Sequence, residues 1–181
     1  MIVLGIDLGT IRPAAATLDV SAQRPRATVS AGSFSNCDKR VRPVVAMAWL
    51  QQRLTDFADA GGRYVFIEDG TTTGYGKGER AKTNYRTTSL LTAQLHQLTG
   101  FAASLGIEVE HIRPQTIGST LGFGSYPKTL TESQRRTEKK RRAKRWCEVH
   151  VDFKGRLTAD KADAITIAYA GWVRSKARRT R

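Results

Sequence analysis

The stretch "VLGIDLGT", residues 3–10, decides how the chain is read. Val3, Leu4 and Ile6 form a short apolar run, which Asp7 interrupts just before Gly9 turns the chain. A run of this kind, bounded by a glycine turn, predicts a buried strand with a carboxylate at its exit. Two chemistries fit that ending. Turn amides and Thr10 can cradle a nucleotide phosphate, or the acid can serve a reaction centre at the strand end.

Downstream, "AAATLDV" resumes the apolar pattern after a Gly-Thr-Ile-Arg-Pro break and predicts a second, antiparallel strand, with "RATVSAGSF" as a third. Between Arg42 and Ala60, Val45, Trp49, Leu50, Leu54, Phe57 and Ala58 recur at spacings of three and four, and Gly61-Gly62 supplies a helix stop. "RYVFIEDG" is again an apolar strand with acids at its exit. The polar, Gly-rich "TTTGYGKGERAKTNYR" predicts a loop. A long helix follows, marked by Leu91, Leu95, Leu98, Ala102 and Leu105 and closed at Gly106. "IEVEHI" predicts a strand, "RPQTIGSTLG" a helix opened by proline, and the basic run from Thr131 to Arg145 another helix. The last periodic segment, "ADKADAITIAYAGWVR", sets Ala162, Ile165, Tyr169 and Trp172 on one face. The expectation is one α/β domain over residues 1–173, a mixed sheet with helices packed on it, and a flexible basic tail at 174–181.

At 181 residues the chain can bury a core without staples. Its 30 Lys and Arg against 16 Asp and Glu leave a formal charge of +14, which makes a polyanion the first partner to consider. No apolar run approaches the roughly 20 residues of a spanning helix, so nucleic acid is preferred to a membrane. Cys37 and Cys147 show no metal-ligand spacing and read as neither zinc site nor disulfide, which fits a reducing cytoplasm or another DNA-containing compartment. His96, His111 and His150 are scattered and read as surface or packing residues.

The acids are the informative residues. Asp7 and Glu68 end apolar strands, and Asp160 and Asp163 lie three apart at the start of an Ala/Ile-rich helix. Burying an isolated carboxylate costs several kcal/mol or neutralises it, so acids at these four places call for a common cause. Magnesium, or manganese in its place, is held by a few carboxylates with water and substrate phosphate. Two such ions about 4 Å apart activate a water and stabilise the leaving oxygen in phosphodiester hydrolysis. A spacing of three puts Asp160 and Asp163 on one helix face. Taken singly, each acid has a plainer reading: Glu68 as a strand-end charge reaching water, Asp160 as a helix cap, Asp163 as a first-turn acid on the helix dipole.

"GID-G", Glu68 after its strand, "QTIG" after a strand and the late "D-x-x-D-A-I-x-I-A" helix together resemble the RuvC-type Holliday junction resolvases of the ribonuclease H-like superfamily. The resemblance runs from Ile2 to Trp172, apart from the basic stretch. It implies a five-stranded mixed sheet with helices on both faces, with Asp7, Glu68, Asp160 and Asp163 as the catalytic, metal-binding acids. It also implies a homodimer that nicks two opposed strands of a four-way DNA junction, with the helix of Leu91, Leu95 and Leu98 as the dimer face. The plainer alternative is that those leucines pack on the sheet. "GIDLGT" is also similar to the first phosphate motif of Hsp70- and actin-like ATPases. Those proteins repeat an Asp-x-Gly-x-Gly-Thr motif in a second lobe, and this sequence holds no second copy. The nuclease reading is therefore preferred.

Departures from the family pattern are local. Leu8 stands where the usual bacterial resolvases carry proline, and the aromatic wedge that follows their second acid falls near Thr71, leaving Tyr75 in the same loop as a substitute. Tyr75, Lys77, Arg80 and Lys82, with Tyr85, suit a loop inserting at a branched junction, or equally a linker. Pro114 replaces the family's first phosphate-holding lysine, leaving Arg113 beside it, while Lys128, Lys139 and Lys140 compete for the second. On a helix, Arg135, Lys139 and Arg142 share one side and Arg136, Lys140 and Lys144 the adjoining one, a stripe able to follow a phosphate backbone or simply a solvated face. Rival functions are a fork, flap or RNA–DNA hybrid nuclease of the same fold, or a junction-binding protein without catalysis.

Overall fold

Strand β1 (Ile2–Asp7) is the centre from which the sheet grows. The structure is a computed structural model describing residues 1–69, 79–127 and 129–179, with only the backbone of 79–87. β1 pairs antiparallel with β2 (Ala14–Asp19), which pairs antiparallel with β3 (Arg26–Ala31), as the turn chemistry after Asp7 predicts. On its other edge β1 runs parallel to β4 (Tyr64–Glu68), and β4 runs parallel to β5 (Glu108–Ile112). The sheet order is β5-β4-β1-β2-β3-β6.

That sixth strand corrects the five expected. β6 (Asp152–Phe153) pairs parallel with Arg26 and Ala27, fixed by an Arg24–Asp152 ion pair at 3.0 Å. Two residues are too few to show a periodicity.

Side chains alternate across β1 and β4 and build a core on each face. Val3 and Phe66 face α5 (Ala159–Arg179), with α3 (Pro114–Thr120) and α4 (Glu132–His150) on the same side. Leu4, Ile6, Val65 and Ile67 face α1 (Arg42–Asp59) and α2 (Glu79–Ser104). Helix α1 stops where Gly61 takes a positive φ of 77°, and the Gly62 amide donates to the Phe57 carbonyl at 2.9 Å.

Two further expectations are corrected. Glu79 to Arg86, read as loop, is already helix: the glycines that prompted the loop reading, Gly74, Gly76 and Gly78, all precede Glu79 in the sequence, and the good helix formers Glu79, Arg80, Ala81 and Lys82 open the helix. Residues 174–179, assigned to a flexible tail, continue α5, because Arg174 and Arg178 reach Glu110 at 3.9 and 2.9 Å and Arg179 lies over the Tyr64 ring. Of Leu91, Leu95 and Leu98, offered as a dimer face or as packing on the sheet, Leu95 and Leu98 are buried in the core beneath α2, as the packing alternative has it, while Leu91 is half-buried. Among the described residues no helix is long and apolar enough to cross a membrane.

Candidate metal centre and nucleic-acid face

In the parallel pair, Ile6 lies opposite Ile67, so Asp7 and Glu68 end their strands side by side. Alternation directs both toward the face covered by α5. Helix α5 reaches them because β1 carries Gly5. A Cβ there would stand 2.3 Å from the Ala164 carbonyl oxygen and 2.5 Å from the Ala168 amide nitrogen. This close approach brings the first turn of α5 over the end of β1. Thr158 helps to cap that turn, its Oγ1 accepting from the Lys161 amide at 3.4 Å, and the helix N-terminus favours the negative charge gathered there.

One carboxylate oxygen each from Asp7, Asp160 and Asp163 lies within 4.8 Å of the other two. Three hard oxygen donors at that separation fit a divalent cation such as magnesium. Glu68 stands beside this group, with Oε1 accepting from Lys139 Nζ at 3.2 Å. Lys140 Nζ donates to Asp160 Oδ1, also at 3.2 Å. Both lysines come from α4, which lies against α5.

Crowding the acids has the expected electrostatic result. Burial, then the charges of Glu68 and Asp163, push the Asp7 carboxyl well above its ordinary range, with Lys139 opposing. Asp163 is pushed up to about 6, first by burial and then by Glu68, again with Lys139 opposing. Burial works against the Lys139 charge, but Glu68, Asp163 and Asp7 outweigh it and hold the ammonium above the usual lysine value. The site is deficient in positive charge, and two lysines supply part of what a cation would.

The remaining expected DNA contacts divide. Arg113 is exposed at the head of α3, at the edge of the sheet where Asp7 and Glu68 end. Arg135 and Arg136 are exposed at the start of α4, where Arg136 pairs with Glu132 at 2.5 Å. Arg142 is committed inward: its Nε donates to Glu138 Oε1 at 2.8 Å, its Nη1 to the Phe123 carbonyl, and its guanidinium lies 4.5 Å from the Tyr126 ring. It holds the chain from Phe123 to Tyr126 and is not presented for phosphate. Tyr75, Lys77 and Lys128, with Thr71, lie outside the described residues, as do the side chains of Arg80, Lys82 and Tyr85.

Next to the acids, α3, α4 and α5 enclose a cleft of about 450 Å³. Gln115, Phe123 and Tyr126 line it, and the motif reading assigned none of these a role. The available signal was "LGFGSYP", where Phe123 lies between two glycines of positive φ, Gly122 and Gly124.

No family model and no curated protein matches the chain by sequence. Solved structures do match it by fold. RuvC of Thermus thermophilus aligns at TM-score 0.65 and 14% identity over 98% of this chain and 97% of that one. The same protein in complex with Holliday junction substrate aligns at TM-score 0.63 and 13% identity, over 98% and 96%. The yeast mitochondrial Holliday junction resolvase Ydc2 aligns at TM-score 0.52 and 16% identity, over 97% of this chain and 79% of that one. At these identities the likeness is one of fold, and it extends along the whole chain: the protein has the ribonuclease H-like fold of the RuvC-type resolvases.

Proposed function

We propose that the protein is a divalent-metal-dependent, structure-selective DNA endonuclease that resolves four-way junctions. The observation that carries this reading is the convergence of Asp7, Asp160 and Asp163 beside Glu68, at the end of a parallel strand pair and under a basic helix. Phosphate-cradling chemistry would leave the paired acids of α5 without a purpose.

Asp7, Asp160 and Asp163 would hold magnesium or manganese, and Glu68 would complete a set suited to two ions. When bound, such cations would supply Lewis-acid charge for phosphodiester hydrolysis. The carboxylates orient the attacking water in line with the phosphorus, leaving 5′-phosphate and 3′-hydroxyl ends. Lys139 and Lys140, released from Glu68 and Asp160, turn to the negative phosphate and take the family's phosphate-holding role. Arg113, Arg135 and Arg136 extend the cationic track outward. These contacts position DNA without reading its sequence. A homodimer, built on a surface other than that of Leu95 and Leu98, puts two sites on one twofold axis to cut a symmetric junction twice.

Side-by-side cleavage of a four-way junction, a fork, an RNA–DNA hybrid and a linear duplex tests the reading. Paired nicks confined to the junction are expected. Equal cutting of all four makes the protein a general nuclease, and preferred cutting of the hybrid makes it a ribonuclease.

A further inference from the structure

The cleft beside the acids has a floor, a fixed wall and a polar rim. Ile117, Ala143 and Ile167, all buried, make an apolar floor. Phe123 and Tyr126 form the wall, which Arg142 pins from behind through the Phe123 carbonyl and the Tyr126 ring. At the rim, Ser119 Oγ donates to the Thr116 carbonyl at 3.0 Å and keeps its acceptor capacity. Gln115 is exposed, and its carboxamide makes no hydrogen bond among the described residues. Glu68, Asp163 and Lys139 line the same cleft, so it opens directly onto the carboxylate cluster.

A volume of about 450 Å³ lies within the roughly 300–1,000 Å³ typical of pockets that bury small ligands. A phosphodiester held at the acids brings one particular group within a sugar's reach of this space, the base of an adjoining nucleotide. A base is a flat ring system with a hydrogen-bonding edge, matching apolar and aromatic walls under a polar rim. At the centre of a branched junction base pairing is already disturbed, which lowers the cost of withdrawing a base from the stack. A carboxamide offers a donor and an acceptor side by side, the pattern by which glutamine addresses a base edge.

Resting on the nuclease reading above, we infer that this cleft receives the unstacked base adjoining the scissile phosphate and that Gln115 reads its edge, so that Gln115 sets the cut-site preference. Phosphate contacts cannot supply such a preference. The wall needs no rearrangement to accept the base, because Arg142 already holds it.

The test is competitive. Four-way junctions with randomised cores are cut in one pool in magnesium, and cut sites are counted by sequencing for the wild type, Gln115→Ala and Gly118→Leu. Gly118 lines the cleft, and a Cβ there has nothing within 4 Å, so leucine enters open space. Binding of the most and least favoured junctions in calcium is measured in parallel for each protein. The wild type is expected to favour one base beside the cut by about tenfold, and both variants to flatten that preference in cutting and in binding. Cut sites indifferent to the flanking base, or variants that keep the wild-type preference, overturn the inference. If the wild type cuts no junction, the nuclease reading fails separately, and binding selection from the same randomised pool in calcium that enriches no core base then overturns the base-reading cleft as well.

Discussion

Asp163 carries a stability signature of its own. Its carboxyl is moved from an ordinary 3.8 up to about 6, and Asp7 is moved in the same direction. An acid with a raised folded-state value stabilises the fold most while protonated and loses that contribution as pH rises through the raised value. Metal-free protein should therefore weaken between about pH 4 and pH 6. A cation that replaces the protons should offset the loss, adding about 2.7 kcal/mol at a hundredfold excess over its dissociation constant, or some 5–10 °C for a chain of this size. Melting curves with and without magnesium at pH 4.5 and pH 7.5 check this. A large upward shift at the higher pH only is expected, together with an Asp163→Asn variant that melts higher without metal at pH 7.5 and barely responds to it. An equal magnesium shift at both values contradicts the assignment. The four acids were legible in the sequence because each breaks an apolar pattern. Lys139 and Lys140 were legible only as members of a stripe, since linear spacing does not reveal that α4 folds back over α5. The inward bonding of Arg142 was illegible for the same reason: its partners, the Phe123 carbonyl and the Tyr126 ring, belong to an irregular segment whose path no periodicity encodes.

Among the elements, the decisive contact is that of α5 with β1, and it depends on Gly5. Alanine there would press a methyl into the Ala164 and Ala168 backbone. Overpacking of this kind costs about 1–3 kcal/mol, and the displaced helix carries Asp160 and Asp163 away from Asp7. Gly5→Ala should lower the denaturation midpoint and shrink the magnesium-induced rise in melting temperature. Gly100→Ala is the matched comparison: it lies inside α2 with nothing within 4 Å of the added Cβ and should stabilise by up to about 1 kcal/mol. A Gly5→Ala protein as stable as the wild type would show that α5 is not held by this contact. Most elements were legible from periodicity and stops, α1 from its apolar spacing and Gly61, and α5 from Ala162, Ile165, Tyr169 and Trp172. Helix α4 was read from charge, and its start is fixed by a capping box in which Thr131 and Gln134 exchange hydrogen bonds. Elements that depend on distant partners were not legible. β6 exists through Arg26 and Ala27, and the last turns of α5 through Glu110 and Tyr64.

For the whole molecule, the proposed function rests on charge and fold together. The formal charge of +14 is partly tied up on α4, where Arg141 and Arg142 grip Glu138 and hold its carboxyl down at about 2. Exposed pairs such as Arg136–Glu132 are worth little, so phosphate readily replaces the carboxylate. Junction affinity should accordingly fall about a thousandfold between roughly 50 and 200 mM salt if some six phosphates are neutralised, and Arg135→Ala with Arg136→Ala should flatten that slope. A nearly flat dependence in the wild type would remove the cationic track from the account. The central claim is tested most directly by cleavage of a labelled four-way junction in magnesium by wild type, Asp7→Asn and Asp163→Asn, with binding measured alongside in calcium. Paired symmetric nicks by the wild type, slowed at least about a thousandfold in both variants while binding survives, is the predicted result. Wild-type protein that binds the junction without cutting it, or variants that cut as well as the wild type, would contradict it.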